Sequence, residues 1–318
     1  MSISSLSAWE HGAQALALIN AALERGYLDF LATPRTRAEV DGFAGHPAGD
    51  LLAAFEAHGF VVRDGERFRL DDEVAEGLAG DAPLGLAARI ARAHLLARQV
   101  AEVVHTGTAP LTGDESLVVA LSVAMQPGEP SRMIVDKLHS AVPEVRDAIA
   151  NGRMLDVGSG VGGYVLTALS LLPGMRATTL ELIPEVAAVA RQRAHDLGVA
   201  GRADIRVMDA RDFDEPAAFD SAFWAQPFFP EPTRAATLAM IRRSLRPGGI
   251  LAIQQLDAEP AGEPERAAFT LARLVAEAGG LPFARPMADL VTEVTAAGFE
   301  LIRTVEIDLG HLALLRRP

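Results

Sequence analysis

The residues with the clearest chemistry lie in the run Met154-Leu155-Asp156-Val157-Gly158-Ser159-Gly160-Val161-Gly162-Gly163. An apolar stretch ends in an acid and passes into glycines, the pattern of a strand that turns sharply into a helix. Glycines let the backbone turn tightly and approach a ligand closely, and the helix start offers free N–H groups to an anion. Gly158, Gly160 and Gly163 also satisfy G-x-G-x-x-G, so a dinucleotide is one ligand consistent with the loop. Glu181 follows 18 residues past Gly163, at the end of the next apolar run. An acid there can accept hydrogen bonds from both hydroxyls of a ribose, which suits NAD and an adenosyl ligand equally. Its bland alternative is a carboxylate favoured by the helix start at Pro184. Asp209, in Val207-Met208-Asp209-Ala210, closes a third such run. An acid at that place can take the exocyclic amine of adenine, with Ala210 and Phe213 as apolar cover.

These residues need a scaffold that brings strand ends together. From Arg153 onward the pattern alternates, with strands expected at 153–157, 176–181, 204–208, 219–225 and 249–255, and helices at 184–197 and 232–245. That alternation implies an α/β fold with a doubly wound, Rossmann-like parallel sheet. Helix 286–297 and strands 299–307 and 311–316 follow, and read as a terminal β-hairpin on one sheet edge. The front of the chain is mainly α. Helices are expected at 8–23, from the capping box Thr36–Glu39, and at 47–58, followed by a hairpin over Phe60–Leu70 around Asp64-Gly65. Helix, helix, hairpin is the order of a winged helix. A long amphipathic helix spans 84–105, and residues 106–150 mix short helices with proline and glycine breaks. The expected domains are therefore 1–105, a helical bridge over 106–150, and 151–318.

Composition removes several function classes. The 318 residues contain 29 Lys+Arg and 42 Asp+Glu, a net charge of −13, and no cysteine. Without cysteine there is no disulfide, thiolate zinc site, iron–sulfur cluster or cysteine nucleophile. Residues 1–100 carry 9 Lys/Arg against 14 Asp/Glu, and the helix Leu51–His58 has no Arg or Lys, so DNA is not an expected partner. The longest clean apolar stretch, Leu117–Met125, is far below the ~18 residues that span a bilayer. Met1–Gly12 has neither a basic nor an apolar leader region, which makes a cytoplasmic protein the expectation. None of the eight histidines pairs with another at i, i+4, so no metal is expected.

Taken together, Asp156 inside the glycine motif, Glu181 and Asp209 on the next two strands, the turn Arg246-Pro247-Gly248-Gly249 and the closing hairpin resemble class I S-adenosylmethionine-dependent methyltransferases. The front half, especially Ala22–Leu31 and Gly59–Leu70, is similar to the winged-helix dimerisation domain of the plant-type and bacterial small-molecule O-methyltransferases. So is the ending Ala296–Phe299 to Pro318. The resemblance implies a homodimer, S-adenosyl-L-methionine as cofactor, and a small-molecule substrate of secondary metabolism bound between the domains. It implies that Asp156, Gly158 and Gly160, with Ser159, face the methionyl part of the cofactor. Glu181 with Leu182 would then meet the ribose, and Asp209 with Ala210 the adenine. Trp224 and Gln226 would border the sulfonium and the substrate.

One departure matters for the chemistry. Members of that family usually carry a histidine base after the fourth strand, whereas this chain has Ala225-Gln226-Pro227-Phe228-Phe229-Pro230-Glu231. An amide cannot remove a proton from a phenol. A sulfonium is already a good leaving group, and oriented attack alone is worth roughly 7–11 kcal/mol. The expected acceptor is therefore an amine, a carboxylate, an enolisable carbon or an acidic hydroxyl. Gln226 would orient it, Phe228, Phe229 and Met125 would line its pocket, and His139 is the alternative base. A non-methylating family member, an NAD(P)-dependent enzyme and a winged-helix ligand sensor are the competing functions.

Overall fold

The structure, a computed structural model, describes residues 3–78, 82, 84–260, 262–307 and 310–318. Residues 1 and 2, part of the Met1–Gly12 stretch read above for a leader, lie outside the described residues. The chain divides after Leu95 into two compact units.

The first unit opens with α1 (Ile3–Glu24), which ends where Gly26 takes φ +75, and α2 (Tyr27–Leu31) starts at once. Strand β1 (Arg35–Thr36) leads into α3 (Arg37–Ala44). Its capping box forms as the sequence requires: the Glu39 amide donates to Thr36 Oγ1 at 3.3 Å, and the Thr36 amide donates to Glu39 Oε2 at 2.7 Å. After α4 (Gly49–Ala57) the ring of His58 donates from Nδ1 to the Ala54 carbonyl at 2.8 Å, a C-terminal cap. Strands β2 (Val61–Asp64) and β3 (Arg67–Leu70) turn at Gly65, φ +61. The sheet order is β1-β3-β2, so the hairpin gains a third strand too short to announce itself in the sequence. Alternation along β3 buries Phe68 and Leu70 against Val40, Leu52 and Phe55. Helix α5 (Asp72–Leu78) follows, and the division between the units falls within α6 (Leu86–Thr106).

The second unit starts with the end of α6, then α7 (Gly113–Val123), α8 (Glu129–Ala141) and α9 (Pro143–Ile149). A second capping box, Thr112 with Glu115, starts α7. The alternating part runs β4 (Arg153–Val157), α10 (Gly163–Leu171), β5 (Arg176–Glu181), α11 (Pro184–Asp196), β6 (Ala203–Val207), β7 (Phe219–Trp224), α12 (Glu231–Ser244) and β8 (Leu245–Gln255). Then come α13 (Glu263–Ala278), α14 (Met287–Ala296), β9 (Glu300–Ile307) and β10 (Gly310–Arg316). The seven-stranded sheet has the order β6-β5-β4-β7-β8-β10-β9, with the first five strands parallel and β10 antiparallel to both neighbours. The terminal hairpin thus sits on the sheet edge, with its last strand placed inside its first.

Alternation along each strand divides the side chains between two cores. Leu155, Val157, Leu180, Ala222 and Trp224 pack with Leu238 and Ile241 of α12 and Leu290 of α14. Met154, Ala177 and Ala252 pack on the other face with Val165 and Leu169 of α10, Val145 of α9 and Val135 of α8. Near-continuous burial along β4, β5 and β7 is what helices on both faces of a parallel sheet demand. Helix α13, amphipathic and bounded by Gly262 and Gly279, was not expected from the sequence.

Candidate active site

Parallel strands bring their carboxyl ends to one edge, and that is where the singled-out acids and glycines gather. The loop after β4 is held by its neighbour: the amides of Gly158 and Ser159 both donate to the Leu180 carbonyl, at 2.9 and 3.2 Å. Gly158, Gly160 and Gly162 take φ of +76, +56 and +75, so three left-handed residues fold the loop back onto the start of α10. A Cβ on Gly160 would meet nothing within 4 Å, which leaves an open cradle there. A Cβ on Gly158 would come within 2.8 Å of the Phe229 ring, so the segment after β7 packs directly on the loop.

Asp156 points to the α10 face, in register with Thr179 and Phe223. It is only 4% exposed, and its carboxylate makes no hydrogen bond among the described residues. Burial, reinforced by the neighbouring Glu181, pushes it up to about 7. Glu181, at the end of β5, accepts the Gly160 amide with Oε2 and the Ile183 amide with Oε1, both at 2.9 Å. Burial raises Glu181 against the pull of these amides and that of Leu182. The Ser159 hydroxyl, the Thr179 hydroxyl and the Trp224 indole N–H are also buried without a partner. The Trp224 N–H lies on the α12 face, whereas Asp156 and the Ser159 and Thr179 hydroxyls lie by the glycine loop, where an ammonium group and a nucleoside would meet an acid, hydroxyls and an open glycine backbone. The residues present therefore fit S-adenosylmethionine.

The remaining residues take varied positions. Leu182 is exposed beside Glu181. Asp209, after β6, caps a 3₁₀ turn through the Arg211 amide and is gripped by the Arg211 guanidinium at 2.6–3.1 Å, which holds its carboxyl below the usual range. Ala210 is buried, and Phe213 lies in the core against Phe219 rather than at the surface, because its turn tucks it under α12. Trp224 ends β7 fully buried, with Phe229 edge-on at 5.7 Å. Phe228 is exposed. The backbone of Met125 lies over Gly163, where a Cβ would come within 2.7 Å of its carbonyl oxygen. Gln226 is buried, and both ends of its amide are engaged: Nε2 donates to the Gln254 carbonyl at 3.1 Å and Oε1 accepts from Arg234 at 3.0 Å. His139, on α8, is buried with Nε2 3.2 Å from the Tyr164 hydroxyl. Burial lowers the imidazole, with Asp136 opposing and Arg146 adding to the shift. Burial and the charge of Asp156 raise Tyr164, whose ring also lies against Phe223. Among the described residues no cluster of acids and histidines could hold a metal, and no helix is long and apolar enough to cross a membrane.

Four participants escaped the sequence reading. Tyr164 reads as an ordinary first-turn helix residue. Arg234, Glu293 and Arg285 are far apart in the chain, yet Arg234 and Arg285 both bind Glu293, with nitrogen–oxygen distances of 2.7 and 2.8 Å. An arginine and a glutamate in two amphipathic helices look like surface charges until the packing is known.

A glycine loop between a parallel strand and a helix, with acids ending successive strands and an antiparallel hairpin closing the sheet, defines a nucleoside-binding α/β enzyme fold. Residues 154–249 match the family described as methyltransferase domain, so the chain carries a methyltransferase domain. The ubiquinone biosynthesis O-methyltransferase of Xanthomonas campestris pv. campestris (strain B100) is 34% identical over 134 residues, covering 42% of this chain and 52% of that protein. The chain thus spans about half the length of the curated relatives it matches. The fold is shared over nearly the whole chain with an O-methyltransferase family protein from Burkholderia thailandensis, with a TM-score of 0.73, 19% identity, and coverage of 100% of this chain and 98% of that one. Human N-acetylserotonin methyltransferase in complex with S-adenosylmethionine has a TM-score of 0.71, 17% identity, and coverage of 100% and 98%.

Proposed function

We propose that this chain transfers the methyl group of S-adenosyl-L-methionine to a small aromatic or heterocyclic acceptor. The buried, unpartnered carboxylate of Asp156 beside the open cradle at Gly160 carries this reading. Asp156 would hold the cofactor's ammonium, the Gly158–Gly160 backbone and the Ser159 hydroxyl its methionyl chain, and Glu181 its ribose hydroxyls. Leu182 would lie beside the ribose with Glu181, Asp209 and Ala210 would flank the adenine, and Trp224 would back the sulfonium end. When bound, the cofactor supplies a methyl already activated on a sulfonium. The chain's own contribution is then alignment and exclusion of water.

No histidine occurs in residues 225–231, and the Gln226 amide is committed to Arg234 and Gln254. Gln226 therefore acts by positioning the segment that carries Phe228 and Phe229, the apolar wall of the acceptor site, with Met125 across from it. His139, kept neutral by burial, is the side chain offered for any proton that must be taken up. An amine, an enolisable carbon or an acidic oxygen suits such a site better than a neutral phenol.

The N-terminal residues 1–105 would serve as the winged-helix-like dimerisation domain of a homodimer, joined by the 106–150 bridge to the 151–318 cofactor domain. Leu6 and Trp9 expose apolar surface on α1, which supports that reading. Helix α4 carries Asp50 and Glu56 and no basic residue, which speaks against duplex DNA as the partner.

Calorimetric titration with S-adenosylhomocysteine and with NADH tests the cofactor assignment. Saturable binding of the first and none of the second is expected, and the reverse result would overturn it. Light scattering should give twice the 33.7 kDa chain mass.

A further inference from the structure

A shallow groove, with room for about one water molecule below its rim, lies at the carboxyl ends of β7 and β8, one strand beyond the glycine loop of β4. Gln226, Pro227, Gln255, Asp257 and Arg285 contribute to its lining. The two arginines behind it use their donors unequally. Arg234, 1% exposed, spends all five of its N–H donors inside the protein: Nε and Nη2 on Glu293 at 2.7 Å each, Nη2 also on Gln226 Oε1, and Nη1 on the Gln226 and Phe229 carbonyls. Arg234 and Glu293 therefore form a closed bidentate pair that neutralises itself.

Arg285 adds a second guanidinium to the same carboxylate. Only Nη1 is used, on Glu293 Oε2 at 2.8 Å, and its remaining donors meet no acceptor among the described residues. Arg285 therefore keeps unused N–H donors, and it lies on the groove. The backbone that delivers it is unusual, because Ala284 takes φ +50, a left-handed conformation that non-glycine residues avoid. Strain of this kind persists where the surroundings fix a side chain for a task. Asp257 is the single acid in the lining, which therefore carries one anion and one cation.

We propose that Arg285 recognises an acidic group on the methyl acceptor, so that the acceptor is an aromatic or heterocyclic acid. This rests on the methyl-transfer reading above and narrows its substrate class. A planar guanidinium with free neighbouring N–H groups matches a carboxylate in two-point geometry, which fixes orientation as well as position. An acceptor anchored by its acid group is aligned without any base, which is what a segment lacking histidine requires.

The test is calorimetry on the full-length protein, both free and saturated with S-adenosylhomocysteine, using 4-aminobenzoate and its neutral isostere 4-aminobenzamide. The wild type should bind the acid at least tenfold more tightly than the amide. Arg285→Gln should abolish that preference, and Arg285→Lys, which keeps the charge but loses the fork, should retain part of it. Equal affinity for acid and amide, no binding of the acid at millimolar concentration, or a preference that survives in Arg285→Gln overturns the proposal. Binding of S-adenosylhomocysteine is read in its own titration, so failure of the cofactor assignment is seen separately from failure of acid recognition in the free protein.

Discussion

The amide of Gly160 donates to Glu181 Oε2 at 2.9 Å, while the other oxygen of the same carboxylate takes the Ile183 amide at the same distance. One side chain on β5 therefore clips the tip of the glycine loop to the start of α11. Glu181→Gln keeps the shape but has one carbonyl oxygen for two amide donors, and its NH₂ group would face an N–H. We expect S-adenosylhomocysteine affinity to fall about tenfold in calorimetry, with a larger fall for Glu181→Ala. Unchanged affinity in both variants would remove Glu181 from the cofactor site.

Asp156 should make the ligand-free protein less stable as pH rises. Its folded carboxyl is raised to about 7 from 3.8. Between those values the unfolded chain has released the proton that the folded chain keeps, so stability falls with pH across that window, and the loss is complete above about 7. Asp156→Asn lacks this term. Thermal melts at pH 5.5 and pH 8.5 should show the variant gaining on the wild type at the higher pH while losing at least tenfold in S-adenosylhomocysteine affinity. Parallel pH slopes for the two proteins would contradict the assignment.

The same carboxyl predicts proton-linked ligand binding. An ammonium group beside Asp156 favours the ionised form, so binding releases a proton wherever the free protein still holds it. Affinity for S-adenosylhomocysteine should rise from pH 5.5 to pH 8, and burial of Glu181 works in the same direction. Calorimetry at pH 7 in two buffers of different ionisation enthalpy should detect the released proton in the wild type and a smaller release in Asp156→Asn.

Local signals carried the reading of the fold a long way. Strands 153–157 and 176–181 fall where apolar runs meet charges, and the structure has β4 and β5 over the same residues. Thr36–Glu39 announced a helix start because a capping box is complete within four residues. Helix α13 was missed because its charged face resembles a loop, and β1 because two residues leave no period to read. The site was legible where one motif holds several participants, as in Asp156–Gly163. It was illegible where partners meet only by packing. The commitment of Gln226 to Arg234 and Gln254, the grip of Arg211 on Asp209, and the contact of His139 with Tyr164 depend on rotamers that no spacing encodes.

Gly160 separates the two demands on its loop. Its φ of +56 disfavours any side chain, but a Cβ there meets no protein atom within 4 Å. Gly160→Ala should therefore fold, with a destabilisation of about 1 kcal/mol from backbone strain alone. Its methyl would stand in the open cradle, so S-adenosylhomocysteine affinity should drop at least tenfold. Chemical denaturation and calorimetry on the same sample check both halves, and a variant that binds as well as the wild type would show that the cradle is not the ligand's place.

The two arginines on Glu293 should respond very differently to loss of charge. Arg234 is almost fully buried over the Trp224 ring, 4.7 Å from its centroid, and Glu293 is its sole anionic partner among the described residues. Glu293→Gln strands that cation in the core, and breaking a buried pair on one side costs about 3–5 kcal/mol. Arg285→Gln leaves the Arg234–Glu293 pair intact and removes a partly exposed cation, a change of about 1 kcal/mol or less after solvent screening. Replacing both members, Arg234→Met with Glu293→Leu, removes the buried charges together and should cost less than Glu293→Gln alone. Urea denaturation of the three variants orders these effects, and quenching or shift of Trp224 emission, read in a Trp9→Phe background, reports whether the segment carrying Gln226 has come loose. A Glu293→Gln protein as stable as Arg285→Gln would mean that solvent reaches Arg234, and the closed pair behind the groove would not exist in solution.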